Sequence, residues 1–177
     1  MNDGTVEYYS VDKSKKDNTH KRTAFKSTYN RLIKKISSQE GVETYLIQCI
    51  IKIESNFKAD AVSKAGAMGL MQIMQETSRF YNIQDPLDPE ENLRAGIKHF
   101  KSLLQYFKND IPLALAAYHA GLGRVKKSLK IPSIKSTIDY VTKIMRLYNG
   151  QSINSIGPKV KRLYKRIERN GTIVIYN

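Results

Sequence analysis

Residues 42–57 read Val42-Glu43-Thr44-Tyr45-Leu46-Ile47-Gln48-Cys49-Ile50-Ile51-Lys52-Ile53-Glu54-Ser55-Asn56-Phe57. The apolar positions Val42, Tyr45, Leu46, Ile47, Cys49, Ile50, Ile51 and Ile53 go nearly all round a helix. A helix apolar on every side belongs at the centre of a domain. The spacing therefore predicts a central helix from Val42 to about Glu54, with a lone carboxylate at its last turn. Nine positions after Glu54 begins Ser63-Lys64-Ala65-Gly66-Ala67-Met68-Gly69-Leu70-Met71-Gln72-Ile73, a small-residue turn running into a Gly-Leu-Met-Gln segment.

Flanking patterns extend the helical reading. From Thr23, the positions Phe25, Tyr29, Leu32, Ile33 and Ile36 fall on one helical face, and Gly41 breaks it. Residues 55–67 read as a loop and Gly69 to Phe80 as a short third helix. Asp88 is placed to cap, and Pro89 to open, a long helix with Leu93, Ile97, Phe100, Leu103, Leu104 and Phe107 on one stripe. Pro112 opens an alanine-rich helix, Leu113 to Ala120, closed by Gly121. After a loop, Thr137 to Tyr148 gives the last amphipathic helix, ended at Gly150. The fold class is all-α, mainly helical, with a small β-hairpin appendage at the termini. Tyr164 to Arg169 and Thr172 to Tyr176 flank Asn170-Gly171, a two-residue hairpin turn.

Asp3-Gly4-Thr5-Val6-Glu7-Tyr8-Tyr9-Ser10 resembles the second half of that hairpin, Asn170 to Asn177, without a strand before its turn. The expectation is that an upstream piece, an export signal with it, has been lost; taken literally, a chain opening on Met1-Asn2-Asp3-Gly4 would be cytoplasmic. Three segments result: a basic lead-in with a β strand over 1–22, the helical domain over 23–150, and a basic tail with the hairpin over 151–177.

Composition narrows the chemistry. With 177 residues and 41% hydrophobic content, the chain suffices for one well-buried domain. No apolar run reaches the length of a membrane span. The single cysteine, Cys49, sits in an apolar run and reads as a buried thiol. His20, His99 and His119 are scattered, with no metal-ligand spacing, so neither metal nor cofactor is implied. The net charge of +14 suits an anionic partner, such as wall polymer, membrane surface or nucleic acid, or else is a solvated face. No nucleic-acid module accompanies the charge, so nucleic acid is not expected.

Taken alone, Glu54 reads as an exposed glutamate at a helix end. Beside Ile50, Ile51, Ile53 and Phe57 it reads differently. Apolar neighbours disfavour the carboxylate and raise its pKa, which is what a carbohydrate-cleaving general acid needs. Gly66 and Gly69 would let a sugar approach the backbone closely, or only shape turns. Met71 and Met74 at helical spacing read as packing or as substrate contact. Tyr118 alone reads as a core aromatic, and Asn92 and Gly96 as structural.

Several segments, in order, resemble the soluble lytic transglycosylases, which have a goose-type lysozyme fold. These are Glu54-Ser55; Ser63-x-x-Gly66-Ala67-x-Gly69-Leu70-Met71-Gln72-Ile73-Met74; Asp88-Pro89-x-x-Asn92-x-x-x-Gly96; Ala114-Leu115-Ala116-Ala117-Tyr118-His119-Ala120-Gly121-x-Gly123-x-Val125; and Thr137-x-x-Tyr140-Val141. The resemblance spans about residues 40–148. It implies a lysozyme-like domain that cuts the β-1,4 bond between N-acetylmuramic acid and N-acetylglucosamine in peptidoglycan, leaving a 1,6-anhydro sugar. It makes Glu54 the sole acid/base. It assigns Ser63, Gln72, Met74 and Tyr118 to the glycan groove or to holding the glutamate, and His119 and Tyr140 to substrate binding; on physical grounds a phenol such as Tyr118 can orient the carboxyl. Peptidoglycan strands are the implied partner of a monomer in the cell envelope or periplasm. A goose-type hydrolytic muramidase and a non-catalytic wall-binding module are the alternatives. The chain departs from the family's usual pattern at His119 (asparagine), Ser136 (an acid) and Gln75 (proline).

Overall fold

A computed structural model describes residues 24–150 and two short strands beyond them. The helices are α1 (Asn30–Glu40), α2 (Thr44–Glu54), α3 (Gln75–Phe80), α4 (Pro89–Tyr106), α5 (Ile111–Ala120), α6 (Leu122–Lys126) and α7 (Lys135–Tyr148). Two compact units emerge, one spanning Lys21–Ile153 and the other joining Met1–His20 to Asn154–Asn177. In the second, strands β1 (Tyr164–Ile167) and β2 (Ile173–Tyr176) pair antiparallel, Tyr164 opposite Tyr176 and Ile167 opposite Ile173. The Asn170-Gly171 turn and the related N-terminal segment Asp3–Ser10 lie outside the described residues, as do most residues of the basic tail.

The helical unit is a closed circuit. Helix α1 packs on α2, α2 on α7, α7 on α5, α5 on α4, and α4 back on α1. Inside lies one apolar core, to which α2 gives Leu46, Ile47, Cys49, Ile50 and Ile51 and α4 gives Leu93, Ile97, Phe100 and Leu103. Helix α5 is short-chained on its inner faces (Ala114, Ala116 and Ala117 are buried), so its neighbours approach closely. Caps set the boundaries. Asp88 accepts the Glu91 amide at 2.8 Å and Asp110 the Leu113 amide at 2.9 Å, each followed by an early proline. Gly41 ends α1 at φ 71°, the left-handed closure that glycine makes without strain.

Three expectations need correction. The first helix begins at Asn30, not near Thr23. Phe25 leaves the helical line and packs its ring against Tyr45 and Phe57, at 5.8 and 5.6 Å. Its carbonyl takes the Asn30 side-chain amide at 2.6 Å. The third helix begins at Gln75, not Gly69. Gly69 at φ 75° and Gln72 at φ 46° are incompatible with a right-handed helix. Residues 61–73 instead form a tight loop with bridges Val62–Met68 and Met68–Ile73. Finally, the segment after Gly121, read as loop, contains the one-turn helix α6, anchored by buried Val125.

Candidate active site

Glu54 is the last residue of α2. After it the chain reverses sharply, with Asn56 at φ 52° and Phe57 at φ 64°. Two consecutive left-handed residues other than glycine are strained, and such strain concentrates at functional sites. The turn is held by Phe57 packing on the core and by Lys52 donating to the Asn56 side chain.

The Glu54 side chain is half-buried. Burial pushes its pKa from 4.5 up to about 7, partly offset by a hydrogen bond from Tyr140. The Tyr140 hydroxyl, on α7, donates to Oε1 of Glu54 at 2.6 Å. No neighbouring acid contributes to the shift. Tyr118, on α5, also lies within the field of Glu54. Burial first, then the Glu54 and Tyr81 charges, push its phenol well above the ordinary value. Tyr140 is pushed up by burial and by Glu54 and Tyr118. Both phenols therefore remain hydrogen-bond donors at any physiological pH.

The phenol bonded to the acid is thus Tyr140 and not Tyr118. The Tyr118 hydroxyl donates instead to the Met71 carbonyl at 2.8 Å. Its ring is flanked by His99 and Phe100, at 5.6 and 5.9 Å. His119 lies against Tyr140, ring centroids 4.6 Å apart, and its Nδ1 is 3.2 Å from the Thr137 hydroxyl.

Other residues shape the wall beside this group. The Ser63 hydroxyl accepts the Ala67 amide at 3.0 Å, closing its own turn. The Gln72 side-chain amide donates to the Ala61 and Gly69 carbonyls at 3.0 and 2.9 Å, holding the loop. Met71 is fully buried, whereas Met74, capping α3, is 44% exposed and free to meet a ligand. The close approach at Gly69 is internal: a Cβ there would collide with the Asn92 side chain and come within 2.6 Å of the Pro86 carbonyl. Gly66 faces open space, so it is the glycine that leaves backbone accessible.

Two residues without an assigned site role bind this wall to the helices. Asn92, fully buried on α4, accepts the Met71 amide at 2.8 Å and donates to the Met68 and Pro86 carbonyls at 2.9 and 2.7 Å. The Ser55 hydroxyl donates to the Leu70 carbonyl at 2.8 Å. The sequence signal for Asn92 is an amide beside Leu93 on the apolar face of a helix. Among the described residues no group of His, Cys, Asp and Glu is arranged to hold a metal ion.

Residues 31–141 match the transglycosylase SLT domain family. Among curated proteins, the chain is 28% identical over 109 residues to the membrane-bound lytic murein transglycosylase F of Marinobacter nauticus, covering 58% of this chain and 22% of that protein. It is 33% identical over 117 residues to the soluble lytic murein transglycosylase of Escherichia coli K12, covering 60% of this chain and 18% of that protein. The chain thus spans about a fifth of the length of these relatives. Among solved structures, an inactive glutamate-to-glutamine mutant of lytic transglycosylase Slt from Pseudomonas aeruginosa superposes with a TM-score of 0.60 and 27% identity. That match covers 77% of this chain and 26% of the other.

Proposed function

The chain belongs to the transglycosylase SLT domain family, and on that premise we propose that it is a lytic transglycosylase of peptidoglycan. In this reading it cuts the β-1,4 bond between N-acetylmuramic acid and N-acetylglucosamine and closes a 1,6-anhydro ring on the muramic acid. It works as a monomer in the cell envelope, where its substrate lies.

The observation that carries the reading is the condition of Glu54: a half-buried carboxyl with its pKa at about 7 and one oxygen already bonded to a phenol. A lone acid/base must give a proton and then take one. A group whose pKa lies near the working pH does both with little driving force lost in either direction. In the first step Glu54 protonates the leaving glycosidic oxygen as the C1–O bond breaks. Positive charge develops at C1, and the substrate's own N-acetyl oxygen stabilises it. In the second step the muramic acid 6-hydroxyl attacks C1, and the Glu54 carboxylate takes its proton. The acid is thereby restored and no water is consumed. Tyr140 keeps its hydrogen bond to Oε1 throughout and steadies the carboxylate between the two steps.

The arrangement supports a lyase over a hydrolase because two-carboxylate glycosidases place the second group roughly 5 to 9.5 Å from the acid. Here burial and the Tyr140 hydrogen bond are the causes of the Glu54 shift, with no acid among them, and the candidate acids Asp60 and Glu76 are exposed. Ser63, Gln72, Met74 and Tyr118 form the glycan-side wall in this reading, with Gly66 exposing backbone. The test is digestion of purified sacculi followed by mass spectrometry. Products lighter by one water, without a reducing end, are expected. Predominantly reducing-end muramic acid would overturn the lyase in favour of a hydrolytic muramidase, and intact sacculi would leave a binding module.

A further inference from the structure

His119 stands where the family's usual pattern has asparagine, and its surroundings give it a role. It projects from α5 onto α7 and touches two residues there, Thr137 through Nδ1 at 3.2 Å and Tyr140 ring to ring at 4.6 Å and 33°. Thr137 and Tyr140 are three residues apart, so they share a face of α7. Thr137 is 1% exposed and Tyr140 is 6% exposed. His119 itself reaches solvent. It therefore covers Tyr140 from the solvent side, anchored at its own edge by the threonine. A tyrosine hydroxyl is aimed by the plane of its ring, and His119 packs against that plane.

From this geometry we infer that His119 is a positioning residue that sets the proton affinity of Glu54 by fixing the Tyr140 phenol against it. The inference rests on Glu54 being the acid. The groups facing this site from the surrounding helices are consistent with it. Tyr118 on α5 and Tyr140 on α7 are phenols pushed well above the ordinary value, chiefly by burial, and stay protonated. His99 on α4 and His119 are both held below the ordinary histidine value by burial, so both are uncharged at neutral pH. With no cation among these groups to favour the carboxylate, the Tyr140 hydrogen bond is the force lowering the Glu54 pKa against burial. Whatever steadies that bond tunes the acid.

The experiment is a double-mutant cycle read on Glu54 itself, by 13C NMR titration of its carboxyl in the whole, substrate-free protein. Tyr140→Phe should raise the Glu54 pKa by about one unit, since it deletes a hydrogen bond to the charged form. His119→Ala, at an exposed position that should not affect folding, should raise it by about half as much. The double variant should match Tyr140→Phe alone, because the histidine acts through the phenol. His119→Phe, which keeps a ring on Tyr140, should restore most of the wild-type titration. The inference is overturned if His119→Ala leaves the titration in place or lowers it, if its effect adds in full to that of Tyr140→Phe, or if His119→Phe behaves like alanine. Because no substrate is present, these outcomes are independent of whether the protein cleaves glycan. Failure of the acid assignment shows separately, as retained cleavage in Glu54→Gln.

Discussion

Ser55 and Leu70 are joined by a 2.8 Å hydrogen bond, hydroxyl to carbonyl, fifteen residues apart in the chain. The residue after the acid is thus fastened to the loop beside it. The bond ties the helix end that carries Glu54 to the loop that would receive a glycan.

Glu54→Gln should abolish cleavage while binding to glycan persists. The amide keeps the shape of the carboxyl and cannot release a proton, so activity on sacculi should fall about a hundredfold or more. Near-wild-type turnover would remove Glu54 from the mechanism.

Glu54 should also impose a pH-dependent penalty on stability. Its pKa is about 7 in the fold against an ordinary 4.5, so between these values the folded state binds more protons than the unfolded. Stability must then fall as pH rises through that window, and the loss is complete above the folded value. It amounts to about 3 kcal/mol. Glu54→Gln carries no such titration. In urea unfolding, its stability relative to wild type should be about level at pH 4 and pull ahead by pH 8. A gap that stays constant across this range would contradict the raised pKa.

Asn92→Ala should destabilise the fold by about 3 kcal/mol, because it leaves the buried Met71 amide without an acceptor and two carbonyls without donors. Thermal unfolding would register the loss. A variant melting with the wild type would mean the loop is held by other means.

The net charge of +14 should act on the polymer and not on the bond. Raising salt should weaken binding to sacculi, which carry carboxylates, more than binding to short neutral oligosaccharides. Exposed charges are screened over about 10 Å at 0.1 M salt. Equal responses from the two ligands would assign the charge no role in substrate capture.

What the sequence made legible was what local chemistry decides. Asp88-Pro89 and Pro112 mark their helix starts because a cap or an opening proline needs only a few residues of context, whereas the cap at Asp110 appears only in the fold. The all-round apolar run of α2 announces its burial. The pattern from Phe25 to Tyr29 misleads because a stripe of apolar residues does not say whether a ring is buried from a helix or from a strand-like lead-in. The stretch from Gly69 to Met74 reads as helix in the sequence for a related reason. Its conformation is imposed by Asn92, Tyr118 and Ser55, none of which is local to it. The partner of Glu54 lies 86 residues away, at Tyr140, and only the packing of α7 on α2 brings the two together.

The Gly69–Ile73 loop has almost no regular secondary structure, yet three helix-borne side chains and its own bridges occupy its backbone. Asn92 holds the Met71 amide, Ile73 and Met68 exchange theirs at 3.0 Å, and the Gly69 amide is bound to Ala61 at 2.8 Å. These amides can exchange with solvent only when Asn92 of α4 and the loop's own partners let go, and the hydroxyls of Ser55 and Tyr118, bound to the Leu70 and Met71 carbonyls, oppose that opening. In deuterium these loop amides should therefore exchange as slowly as the core of α2, through the same cooperative opening, unlike the exposed turn at Lys64–Gly66.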